Sequence, residues 1–99
     1  MAGRASVVLR DQFEVAKRQD EVRGTRTSLD EVREKVVVAL GIVGQRLQPI
    51  DAAAVRHDVA WLAATYPDWV SERSLLRDEV LELKRLLDHV DLFLNASAT

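Results

Sequence analysis

The strongest constraint on how this chain folds lies in its last third. Apolar residues fall at Leu76, Val80, Leu83, Leu87, Val90 and Leu94, in steps of four, three, four, three and four. That alternation keeps one side of an α-helix apolar, in an a/d heptad pattern. Trp69 extends it one heptad upstream, with Arg73 at the intervening position. Leu86 and Phe93 lie beside the seam and widen it, and Leu75 and Leu92 sit further round. A helix over about 68–94 is about 40 Å long at 1.5 Å per residue. Such a rod is long for a globule of 99 residues. Part of it is expected to lie on another helix of the same chain, and part on a partner.

Three further helices are expected upstream. The first covers about 5–22, with Val8, Leu9, Phe13, Ala16 and Val22 inward. The second covers about 29–47, with Leu29, Val32, Val36, Ala39, Leu40, Val43 and Leu47 at helical spacings. The third covers about 51–65, with Val55, Val59, Leu62 and Tyr66 inward, and the tail 95–99 is expected to fray. Between the first two, Gly24 with Ser and Thr makes a turn, and Ser28 with Glu31 reads as a capping box. Pro49 sets the next break, because proline disfavours helix at the residue before it, and Asp51 can cap the third helix. Pro67 sets the last, near the first turn of the final helix. The expected fold is all-α: one domain over 1–99, a small bundle of three or four helices with a long, heptad-patterned C-terminal helix.

The stretch VVVALGIVG, residues 36–44, is the most apolar in the chain. It is far short of the roughly 20 residues that cross a bilayer. Val36-Val37-Val38 favours strand locally, but a lone strand has no partner here. The stretch therefore reads as the centre of a helix buried nearly all round, with Gly41 and Gly44 marking close approach of another backbone.

Composition removes several functions. Apolar residues make up 47% and charged residues 30%, a globular rather than disordered balance. A net charge of −2 gives no general affinity for nucleic acid or anionic membrane. Charge is uneven, however: nine Lys/Arg against seven Asp/Glu over 1–47, then five against nine over 48–99. There is no cysteine, so disulfides, thiolate metal sites and a cysteine nucleophile are excluded. The N-terminal residues lack the apolar core of a secretion signal, and cytoplasmic localisation is expected. Eleven arginines against three lysines is a composition met in GC-rich bacterial or phage genomes.

Four local patterns bear on chemistry. Gly41-Ile42-Val43-Gly44 resembles the GxxG loop of KH domains, which implies nucleic-acid backbone held between two helices. Those loops need flanking strands and small or basic residues between the glycines, where this chain has Ile42 and Val43. His57 followed by Asp58 resembles the phosphoacceptor box of sensor kinases, without the proline usual a few residues on. His89 lies between Asp88 and Asp91, but Leu86 and Ala54 occupy the positions three before each histidine, where a di-iron bundle needs glutamate. The stretch 76–90 is similar to the long helix of all-α chorismate mutases; Arg77, Lys84 and Arg85 alone do not supply their converging cations. No catalytic, cofactor or metal residue is therefore assigned.

What remains is association. The expected function is a non-enzymatic protein–protein interaction module, an adaptor, assembly or regulatory factor. Its expected interface is Trp69, Leu76, Val80, Leu83, Leu87, Val90 and Leu94, in a homodimer, a higher helical assembly or a complex with a larger protein. Flanking charges, among them Glu79 and Glu82, set register. Trp61, Tyr66 and Trp69 fit either core or interface. The rival class is a dimeric nucleic-acid-binding regulator using Arg10, Lys17, Arg18, Arg23 and Arg26. Asp11, Glu14, Asp20 and Glu21 interleave with them, however, and allow helix-surface pairs such as Glu14–Arg18. A small helical enzyme or histidine phosphotransfer module ranks third.

Overall fold

The computed structural model describes residues 4–97 as four helices: α1 (Ala5–Arg23), α2 (Thr27–Arg56), α3 (Val59–Thr65) and α4 (Pro67–Ser97). Among the described residues there is no strand, so the chain is a small all-α bundle.

Cross-helix contacts fix the topology. Asp20 near the end of α1 reaches Ser28 and Leu29 at the start of α2, and Lys35 meets Gln12, so α1 and α2 are antiparallel. Arg33–Asp91 and Arg73–Asp51 set α4 antiparallel to α2. Ser6 with Glu79 and Arg10 with Glu82 then place α1 parallel to α4. The 30 residues of α2 and 31 of α4 make two rods each about 45 Å long, whereas the 19 of α1 reach about 28 Å. Helix α1 therefore covers a little over half of the α2–α4 hairpin, and α3 packs on α4 towards the other end. The radius of gyration, 17.1 Å, exceeds the roughly 13 Å of a compact chain this size, as a rod requires.

The core is one cluster: Leu9, Phe13 and Ala16 of α1, Leu29, Val32, Val36 and Val43 of α2, and Leu83, Leu86, Val90 and Leu94 of α4. With the half-buried Ala39 and Leu40 packed against it, the cluster recurs every three or four residues along each helix, as three mutually packed helices demand. Leu62 is the single buried residue of α3.

Helix ends explain most differences from the sequence reading. The capping box at Ser28 does not form, because α2 begins at Thr27 and its N-cap, Arg26, gives no side-chain bond. The carboxylate of Asp20 does that work from α1, accepting Leu29 N–H at 2.8 Å, Ser28 N–H at 3.1 Å and the Thr25 hydroxyl at 2.9 Å. The turn itself is closed by Gly24 at φ 67°, whose left-handed conformation suits glycine and lets its N–H return to the Asp20 carbonyl.

Pro49 does not end a helix; α2 runs through it to Arg56. The ring removes the donor for the Gln45 carbonyl, at about 3 kcal/mol in a helix interior. Contacts with α4 hold the segment helical through that defect: the Trp69 indole donates to the Ile50 carbonyl at 3.1 Å, and Arg73 pairs with Asp51 at 2.8 Å. The break falls instead at His57–Asp58, where Asp58 caps α3 through Ala60 N–H. The expected third helix over 51–65 is thus divided between α2 and α3. Pro67 opens α4 as expected. The helix continues through Asn95 to Ser97 rather than fraying from 95, and residues 98–99 of that tail lie outside the described residues.

Several residues expected inside are outside. Val8 is 48% exposed, Val22 87%, Val55 88% and Tyr66 55%. Residues 36–44 are buried on one face only: Val36 and Val43 point inward, while Val37, Val38 and Ile42 remain exposed. Helices α1 and α4 supply the main contacts of α2, and Val37, Val38 and Ile42 lie on the side that they leave uncovered.

Candidate association surfaces

The stripe on α4 anticipated as a partner interface lies largely within the single-chain bundle. Leu83 and Val90 are wholly buried and Leu94 is 5% exposed. Leu76, Val80 and Leu87 are half-buried against the same cluster, and Trp69 is half-buried against α2. The physical reason is that α4 has two neighbours. With α2 on one flank and α1 on the other, the buried stripe widens to include Leu86 and even Glu79. In this fold the buried part of that stripe supplies intramolecular core.

Gly41 and Gly44 do not mark a close approach between this chain's own helices. Both are exposed, and a Cβ built on either meets nothing within 4 Å. They belong to the uncovered side of α2.

Two carboxylates read as surface charges prove to be structural. Glu79 is 8% exposed and accepts Ser6 N–H at 3.2 Å, satisfying a donor that the first turn of α1 leaves open. Asp20 is 4% exposed. Burial pushes its pKa up, but the backbone N–H groups of Leu29 and Ser28, with the hydroxyls of Thr25 and Ser28, outweigh that and hold it below 3.8. The signal available in the sequence is spacing: residues 6, 9, 13, 16 and 20 form the buried stripe of α1.

Three of the nine basic residues of the first half, Arg10, Lys17 and Arg33, are committed to ion pairs. Arg10 holds Glu82 at 2.8 Å, and Arg33 holds Asp91 at 2.6 Å. The Asp91 hydrogen bond and charge raise the Arg33 pKa above its ordinary value. Glu14 pairs with Lys17 rather than with Arg18, and the Lys17 ammonium also stands over the rings of Phe13 and Phe93. Arg18, Arg23 and Arg26 are exposed.

The aromatic residues near Pro67 separate. Trp69 is a packing residue, with its N–H on Ile50 and Arg73 stacked 5.2 Å from its ring. Trp61 and Tyr66 are exposed and meet edge to face at 5.9 Å, and His57 lies 5.1 Å from Trp61. His89 is exposed on α4 and lines a small cleft with Arg10 and Glu82. Among the described residues, no three His, Asp or Glu side chains gather as a metal site, and no helix is long and apolar enough to cross a membrane.

A concave surface lies outside the core, between α1 and α2 and continuing along α2. Its floor is Ala16, Val32 and Ala39; Val15, Val38 and Ile42 rise beside it; Asp11, Glu31, Glu34 and Lys35 line its edges. No protein family, curated protein or solved structure matches this chain.

Proposed function

We propose that the chain is a non-enzymatic protein–protein association module, working as an adaptor, assembly or regulatory factor through the outside of its bundle. One observation carries this reading. Among the described residues, sixteen large apolar side chains are more than two-fifths exposed, against twelve buried apolar residues. Single exposed apolar residues are ordinary. Here they outnumber the core, and they include two of the chain's five aromatics in mutual contact, Trp61 and Tyr66. Covering such surface is the common driving force for association.

The test is calorimetric titration of the whole chain with an amphipathic helical probe peptide carrying a leucine seam, and separately with duplex DNA at low salt. Association predicts peptide binding with a negative heat-capacity change. Binding of DNA alone, weakening steeply with salt, would instead establish the nucleic-acid reading.

A further inference from the structure

We propose that the groove between α1 and α2 docks one helix of a partner protein, apolar along one face and flanked by lysine or arginine. This rests on the association reading above and gives it a site and a partner chemistry.

Shape is the first argument. Along α2 the groove between the two helices extends from Ser28 to Lys35, and an adjoining hollow lined by α2 alone carries it on to Ile42, about 21 Å or four helical turns in all. Two of its three floor residues are alanines, which let a neighbouring helix approach closely, at the 8–10 Å typical of packed helices. Val15 at 48%, Val38 at 55% and Ile42 at 53% exposure offer apolar contact along its length. A helix laid there would give α1 and α2 a further neighbour and cover the apolar surface left at residues 38–42.

Charge selects the occupant. Three carboxylates, Asp11, Glu31 and Glu34, line the groove against one ammonium, Lys35, which contacts Gln12 at 3.4 Å. Among the described residues none of the three has a cation within 4 Å. A helix with basic flanks supplies the missing partners. A second copy fits poorly, because a two-fold contact presents the same face twice and brings acidic surfaces together.

The experiment measures fluorescence anisotropy of two labelled peptides, sharing one leucine seam but flanked by lysine or by glutamate, against the whole chain. The variants are Glu31→Lys with Glu34→Lys, and a control of equal net charge at the far end of α4, Asp68→Lys with Glu72→Lys. Circular dichroism confirms that each is folded. The expected result is that the lysine-flanked peptide binds wild type and control alike, and that groove reversal weakens it at least about tenfold. Equal weakening by both variants, undiminished binding to the groove variant, or equal binding of the glutamate-flanked peptide overturns the groove and leaves the association reading standing. A dimer dissociated by groove reversal puts a second copy there instead. If wild type binds neither peptide and stays monomeric, both proposals fall.

Discussion

The carboxylate of Asp20 offers the sharpest quantitative test of the fold. It accepts hydrogen bonds from Leu29 N–H, Ser28 N–H and the Thr25 hydroxyl, and is 4% exposed. Replacing it with alanine removes a helix cap, at about 1 kcal/mol. It also strands a buried N–H on Leu29, at about 1–3 kcal/mol. Together these put Asp20→Ala at about 2–4 kcal/mol, or a fall of about 10–30 °C in the thermal midpoint of a domain this size. Asp20→Asn keeps one acceptor oxygen but turns an NH2 group towards one of the donors, so it recovers only part of the loss. Because the folded pKa lies below the ordinary 3.8, the carboxylate's contribution is fully present above that value. It is lost as pH falls through the lowered folded pKa. Urea denaturation of wild type and Asp20→Asn at neutral and acid pH measures both effects. The stability gap is expected to shrink in acid. A cost under about 0.5 kcal/mol for Asp20→Ala, or a gap unchanged by pH, would refute the capping account.

Other perturbations probe separate parts of the bundle. Leu83→Ala empties the centre of the core and is expected to cost about 2–5 kcal/mol in chemical denaturation, because Leu83 is wholly buried. Gly41→Ala and Gly44→Ala meet nothing within 4 Å and are expected to stabilise α2 by up to about 1 kcal/mol each; destabilisation would show another backbone packing there. Trp69→Phe removes the indole bond to Ile50 and is expected to cost about 0.5–1.5 kcal/mol, with hydrogen exchange rising first around Pro49.

Much of the architecture was legible from spacing alone. The 3–4 periodicity gave four helices, and the ends of α1 and the start of α4 fell within a residue or two, but the break between the second and third was placed at Pro49 instead of His57–Asp58. Pro49 misled because its effect is local, whereas the Trp69 and Arg73 contacts that carry α2 past it come from residues about twenty positions away. Ser28 misled similarly: a capping box is a sequence-local motif, and Asp20 reached the same donors from the preceding helix. Burial of the α4 stripe was legible, but not what buries it. An a/d pattern says that a helix has a neighbour without saying whether that neighbour belongs to the same chain. Exposure on α2 was least legible. Val37, Val38 and Ile42 resemble core residues in type, and only the placement of α1 and α4 leaves them outside. The groove between α1 and α2 likewise combines residues from two segments whose alignment depends on the turn at Gly24.

The central claim is that Leu83, Val90 and Leu94 form the interior of one chain rather than a seam between chains. The thermal midpoint measured over a wide range of protein concentration tests it directly. A bundle whose core is intramolecular unfolds at the same temperature throughout. A midpoint that climbs steadily with concentration would show that folding requires association, and would return the α4 stripe to an interface between copies.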